Sequence, residues 1–219
     1  MISSVALKDC DDSLIWELEG NKGFSSRSLY RFITFRGMSD KRIIRLWAAP
    51  IPPKVKHFWL LLRDRIQSAA NLKARNWDGS EFCKLCGQLE TCQHIIFQCP
   101  LAKFMWCLVR DVFDWQLAPN DLEMFFYLVV DRRTDKQSRV VLMLLGACCW
   151  SVWLIRNDMV FREKLVSSPC IIIYRVVSFL SQWRVLAKED EEDQLETMKT
   201  KLLDGVKNLR PRSRGRSDA

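Results

Sequence analysis

Apolar side chains recur at helical spacing along most of this 219-residue chain. One stripe has its members three or four positions apart: Val55, Phe58, Trp59, Leu62 and Ile66. A second stripe follows Pro100, a residue that suits a first helical turn: Ala102, Met105, Trp106, Val109 and Phe113. Both patterns predict amphipathic helices with one face against a core.

The second half of the chain predicts three more helices. Residues 134–162 include the apolar run VVLMLLGACCWSVWLI, which at about 1.5 Å per residue falls short of a ~30 Å hydrocarbon core. A buried helix is therefore expected there, and not a membrane span. Ser168 and Pro169 begin the next helix, and an acidic run at residues 189–193 begins an amphipathic one.

The first part of the chain has another pattern. Apolar and polar residues alternate over residues 14–18, and a glycine-rich turn follows at residues 20–23. This predicts a short strand or β-hairpin over residues 1–24. A short helix should then run from Ser25 or Ser26 to about Phe35, and a linker should connect it to Pro50.

Composition and charge narrow the class of protein. The chain is 48% hydrophobic, with nine Trp and twelve Phe, enough for a real core. Its 34 Lys and Arg against 26 Asp and Glu give a net charge of +8, which favours polyanionic partners. The first residues lack a secretory signal, so the nine cysteines are expected to be free thiols or metal ligands in an intracellular protein, nuclear or cytoplasmic.

The chemistry concentrates in the segment CKLCGQLETCQHIIFQC, residues 83–99. Its spacing is C-x2-C-x7-H-x4-C, and zinc prefers sulfur and nitrogen ligands in a tetrahedron. Gly87 eases the backbone away from the first two thiols. The sequence predicts a closed, structural Zn²⁺ site formed by Cys83, Cys86, His94 and Cys99.

Two alternatives stay open for this segment. The cysteines would be ordinary buried thiols beside an incidental histidine, or Cys92 would replace Cys99 as the fourth ligand. Cys92 and His94 are only two residues apart and would strain a shared tetrahedron. We therefore expect Cys99 to be the ligand.

Catalytic motifs are not found in the sequence. It has neither a Gly-rich phosphate loop nor a G-x-S-x-G elbow. His57, the other of its two histidines, lies at a predicted helix start among Lys and aromatic residues, where a surface or packing role is expected. We predict that the chain is not an enzyme, has no small-molecule substrate and does not bind a membrane.

The segments LWAAPIPPKVKHFWLLLRDRIQSAANLKARNW and FCKLCGQLETCQHIIFQCPLAKFMW resemble the reverse transcriptase zinc-binding domain of plant LINE-type retrotransposon proteins. The resemblance covers roughly residues 29–106 and includes Trp47, the Pro-Pro-Lys-Val-Lys segment and the four predicted zinc ligands. WELEGNKGFSSRSLY before it and WLIRNDMVF after it are also similar to that family's surroundings. The resemblance implies a region that follows a polymerase in the chain and binds template or target nucleic acid.

The chain departs from such proteins in lacking the paired aspartates of a polymerase and the acidic set of a ribonuclease H. It is therefore expected to be an isolated or truncated copy. The first functional hypothesis is a zinc-stabilised module that binds RNA or DNA. The alternative is a helical protein-interaction scaffold, with a partner on residues 195–209, or an inactive retroelement remnant.

The predicted fold is mainly α, a helical protein with a small embedded CCHC zinc knuckle and the short N-terminal β-hairpin. The predicted divisions are a hairpin segment (1–24), a zinc-binding-like domain (25–115), a helical extension (116–187), an amphipathic helix (188–209) and a basic disordered tail (210–219). The expected nucleic-acid contacts are basic residues: Lys54, Lys56, Arg63, Arg65, Lys73, Arg75, Arg210, Arg212, Arg214 and Arg216.

Overall fold

The computed structural model describes residues 15–33, 41–56, 64–131 and 133–209, without the side chains of residues 128 and 129. Across these residues the chain is mainly α, as predicted, and it forms no β-strand. Phe82 and Leu89 form an isolated antiparallel bridge. The chain divides into two compact units, residues 1–40 and residues 41–219. The predicted division into five segments stays a prediction.

The first unit contains helix α1, Ser26–Ile33, where a short helix was predicted. The hydroxyl of Ser25 accepts a hydrogen bond from the backbone N–H of Ser28 at 3.1 Å. The indole of Trp16 donates to the Ser28 hydroxyl at 2.6 Å, and its backbone N–H donates to the carbonyl of Lys22 at 3.0 Å. From Ile15 onward the segment is thus a turn and not the expected strand, because two local backbone hydrogen bonds close it and no strand among the described residues pairs with it. The earlier residues of the predicted hairpin lie outside the described residues.

Eight further helices lie in the described part of the second unit. They are α2 (Lys41–Ala48), α3 (Pro53–Lys56), α4 (Ala69–Lys73), α5 (Pro100–Val112), α6 (Leu122–Phe125), α7 (Asp135–Arg162), α8 (Ile171–Trp183) and α9 (Glu189–Lys207). A π-helical turn at His94–Gln98 precedes α5, a second at Phe126–Val130 continues α6, and a 3₁₀ turn at Arg184–Leu186 continues α8.

Two of these helices differ from the sequence prediction. α2 lies where a linker was expected, because contacts from distant residues hold it. The guanidinium of Arg45 pairs with Asp135 at 3.0 Å, and Leu46 is buried. The helix predicted from Lys54 to Ile66 is observed as α3 at its start, residues 57–63 lie outside the described residues, and its predicted end at residues 64–66 is wrong because these residues are not helical. Ile66 is buried in a segment that is not helical.

α7 is the central helix of the second unit. Thr134 begins it with a capping box that includes Gln137, and most of its length is buried, as predicted. α2, α3, α5, α8 and α9 all pack against it. The whole helix, at 28 residues, is longer than its apolar run and is long and apolar enough to cross a membrane, but 78% of its most apolar 18-residue window is buried inside the protein.

α9 packs its apolar face against α5 and α8. Leu195, Met198 and Leu202 are buried there. The approach to α5 is close: a Cβ at Gly205 would lie 2.6 Å from Val112. A partner for residues 195–209 stays a prediction, and such a partner would have to contact the outward face of α9 or displace the helix.

Candidate metal centre

A tight turn carries the first two candidate ligands. The carbonyl of Cys83 accepts a hydrogen bond from the N–H of Gly87 at 2.9 Å, and the N–H of Cys83 donates to the carbonyl of Gln88 at 2.8 Å. Gly87 has a φ of 70°, in the left-handed region that a residue with a Cβ adopts only at a cost. The glycine therefore lets the chain reverse directly after Cys86, so both thiols stay on the inner side of the turn.

The π-helical turn carries the other two. The N–H of Cys99 donates to the carbonyl of His94 at 2.7 Å, five residues earlier. In an α-helix, residues five apart lie ~140° apart around the axis, whereas the wider π turn brings them to the same side. The Thr91 hydroxyl accepts from the N–H of His94 at 3.0 Å and fixes the start of the turn. Cys99 then leaves the helical conformation before Pro100 begins α5.

These two turns bring the four predicted ligands together. The ligand atoms of Cys83, Cys86, His94 and Cys99 all lie within 4.8 Å of one another. The sulfurs of Cys83 and Cys99 are 3.9 Å apart, and the sulfur of Cys86 is 3.4 Å from Nε2 of His94. Zinc bonds of ~2.3 Å to sulfur and ~2.0 Å to nitrogen give tetrahedral edges of ~3.8 and ~3.5 Å. The cluster fits one tetrahedral metal ion with no ligand position left for water.

The thiols of the cluster differ in acidity. A hydrogen bond from the Cys99 thiol lowers the pKa of Cys83 to about 4, and the same contact with Cys83 raises the pKa of Cys99. Burial raises the pKa of Cys86. A metal binds thiolates, so Cys86 and Cys99 must lose protons as the ion enters. Metal affinity should therefore fall as the pH falls.

Cys92, the alternative fourth ligand, lies outside this cluster. Its sulfur accepts a hydrogen bond from the side-chain amide of Asn71 at 3.3 Å and contacts the carbonyl of Ile66 at 3.5 Å. Burial raises its pKa to about 12, which keeps it a neutral thiol at physiological pH. Cys92 therefore holds residues 66–68, directly before α4, against residues 83–99, which we call the knuckle.

We expect Cys92→Ser to keep one bound metal ion per chain, because serine can replace the thiol as acceptor from Asn71. We expect Cys99→Ser to lose the ion or bind it much more weakly, because one of four ligands is gone. Elemental analysis of the two purified variants measures the difference. Full metal content in Cys99→Ser with loss in Cys92→Ser would reverse the assignment.

A buried ion pair supports the knuckle from α7, and sequence reasoning missed it. The carboxylate of Glu90 accepts from the guanidinium of Arg156 at 2.6 and 3.0 Å and from the backbone N–H of Ala69 at 2.9 Å. The two charged side chains are only 2% and 5% exposed. The signal available in the sequence was Arg156, a charged residue that directly follows the apolar run of residues 140–155 in the predicted helix. The pair ties the knuckle, α4 and α7 together.

The structure places the predicted basic residues in two groups. Arg65, Lys73 and Arg75 are exposed in and around α4, which is hydrogen-bonded to the knuckle through Glu90. Lys54 and Lys56 lie on α3, which packs on α7. The remaining five lie outside the described residues: Arg63, Arg210, Arg212, Arg214 and Arg216.

Comparison with known proteins gives one family. Residues 24–106 match a family model described as zinc-binding in reverse transcriptase. The matched segment contains all four residues of the metal cluster together with α4 and its basic residues. The comparisons with curated proteins and with solved structures each gave no match. The family match agrees with the resemblance seen in the sequence over almost the same residues.

Proposed function

We propose that this chain is a non-catalytic, zinc-stabilised module that binds RNA or DNA and that derives from a plant LINE-type retrotransposon protein. One observation carries the proposal: the segment similar to reverse transcriptase zinc-binding regions joins a four-ligand metal cluster to exposed basic residues in and around α4. The plant and LINE origin rests on the sequence resemblance alone. A site in the nucleus or cytoplasm would suit such a module.

Zinc suits the metal cluster because three cysteines and one histidine are its usual structural ligands. The closed shell leaves the ion no position from which to activate water. In this proposal the metal therefore holds Cys83–Gly87 and the π turn in place, and the basic residues in and around α4 do the binding. The Glu90 carboxylate transmits that rigidity, since it contacts α4 and α7 from within the knuckle.

The basic group around α4 suits contacts to phosphate. Arg65, Lys73 and Arg75 are exposed, and none forms an ion pair with another residue that the structure describes. Many other cations have a carboxylate partner, such as Arg45, Arg139 and Arg184. Cations without a carboxylate partner can neutralise phosphates and release counterions from a nucleic acid.

We expect the affinity for nucleic acid to fall steeply with salt. Replacing Arg65, Lys73 and Arg75 by Gln should reduce the slope of log K against log salt by ~2 to ~3, because each lost phosphate contact removes ~0.7 to ~0.9. Fluorescence anisotropy over a salt series measures the slope. Removing residues 210–219, with their four arginines, should reduce it further.

A charge-matched control distinguishes binding at the surface around α4 from a general effect of net charge. Lys136, Lys201 and Lys207 are exposed cations on α7 and α9, and their triple Gln variant has the same net charge as the first. If both triple variants reduce the slope equally, the α4 surface is not the binding site. If the unaltered protein binds neither RNA nor DNA at low salt, the proposed function is wrong.

A second candidate function is protein interaction, and the knuckle provides an observation for it. Phe82, Leu85 and Leu89 are 51%, 41% and 46% exposed on its outer side. Exposed apolar residues grouped in this way occur at protein interfaces. If the chain is instead a protein-interaction module, its binding to the protein partner should not depend on Arg65, Lys73 and Arg75. The same pair of triple variants therefore distinguishes this function from nucleic-acid binding.

A further inference from the structure

We infer that Trp47 is a stacking surface for an unpaired base, and hence that this chain prefers single-stranded nucleic acid. The inference rests on the proposed function and assigns part of it to the opposite end of the family-matched segment. It adds an uncharged residue that would contact the ligand through its aromatic ring.

The ring of Trp47 is exposed on a helix that is held rigidly. It is 51% exposed, and Ile44, one turn earlier on α2, is 52% exposed. On the other face of α2, Leu46 is buried and Arg45 pairs with Asp135 at the start of α7. A tryptophan half in water on a fixed helix presents a large flat surface at a low cost in conformational entropy.

Lysines accompany this ring and a second tryptophan. The ammonium of Lys56 donates to the carbonyl of Trp47 at 2.6 Å and lies 5.7 Å from the centre of its ring. Two residues earlier on α3, the ammonium of Lys54 lies 6.0 Å from the ring of Trp150 on α7. Both lysines were expected to contact nucleic acid, and the structure adds aromatic partners that sequence spacing could not assign.

An aromatic face beside an ammonium group matches the chemistry of one nucleotide. The base can stack on the ring while its phosphate meets the cation, and such stacking tolerates any base. In a duplex both faces of each base are already covered by neighbouring bases, so this surface suits an unstacked base. Single strands should therefore bind through Trp47, and duplexes should not.

The test compares a fluorescein-labelled oligothymidylate with a duplex of the same length, using the whole zinc-loaded chain. Trp47→Ala should weaken binding of the single strand by about 5- to 150-fold and leave its salt slope unchanged, since the ring has no charge. Trp47→Phe should retain most of the affinity. Lys56→Gln should instead lower the salt slope by ~0.7.

Tyr174→Ala is the matched control, because Tyr174 is an aromatic residue on α8 with a similar exposure of 53%. Unchanged single-strand affinity in Trp47→Ala, or equal losses in the Ala and Phe variants, overturns the stacking inference and leaves the proposed function intact. Binding of duplex alone does the same. If the unaltered protein binds neither probe, the stacking inference fails; if it also binds no RNA at low salt, the proposed function fails with it. Zinc content and circular dichroism show that each variant is folded.

Discussion

Protein purified without added zinc should contain one zinc ion per chain, and removing that ion should unfold the knuckle. The segment from Trp77 to Thr91 contains no helix and a single β-bridge, so few backbone hydrogen bonds hold it. Without the ion, the contacts described among the three thiols and the imidazole are hydrogen bonds of sulfur, which are weak. Structural zinc supplies an apparent ~10–16 kcal/mol in zinc-finger peptides.

Elemental analysis measures the stoichiometry, and circular dichroism during a chelator titration measures the unfolding. The loss should begin at lower chelator concentration as the pH falls, because protons compete for Cys86 and Cys99, whose pKa values are raised. Cys107→Ser is the control: this thiol is exposed on α5 and is not one of the four clustered residues, so metal content should not change. A folded, metal-free chain with an unaltered spectrum would contradict the prediction.

Breaking the ion pair between Glu90 and Arg156 should have the second large effect. Arg156→Met removes the cation and leaves a carboxylate that is 2% exposed with one backbone N–H, from Ala69, as its remaining donor among the contacts described. Removing one partner of a buried pair costs ~3–5 kcal/mol, a large part of the ~5–15 kcal/mol that stabilises a typical domain. Urea denaturation of the zinc-loaded protein measures the free energy of unfolding.

A double variant distinguishes the loss of the attraction between Glu90 and Arg156 from the cost of leaving the Glu90 charge buried without a partner. In Glu90→Gln with Arg156→Met, the amide oxygen can still accept from Ala69 and no charge is buried, so this double variant should be more stable than Arg156→Met alone. Lys207→Gln is the control, since it breaks the exposed pair with Asp204 and should leave the unfolding midpoint unchanged. A double variant as unstable as the sum of its single changes would show that the two residues act independently.

Periodicity was a good guide where one short stretch of chain contains the whole signal. The stripe after Pro100, the apolar run within residues 134–162 and the acidic run at the start of α9 each predicted a helix that the structure contains. The four residues of the predicted metal site come together for the same reason, because the C-x2-C turn and the H-x4-C turn are local geometries. The linker predicted over α2 was wrong: Ile43, Leu46 and Trp47 lie at helical spacing there, and Arg42 and Arg45 also pair with carboxylates far along the chain.

Residue types and spacing alone determined the mainly α class and the grouping of Cys83, Cys86, His94 and Cys99. Each of these depends on neighbours within a few residues. Distant contacts settled the rest: they excluded Cys92 from the cluster, placed Arg156 against Glu90 and set Lys54 and Lys56 beside tryptophan rings. A spacing in sequence restricts which residues can meet over one turn. Which residues meet from distant parts of the sequence depends on how the helices pack, and α7 brings Arg156 to Glu90 and Trp150 to Lys54.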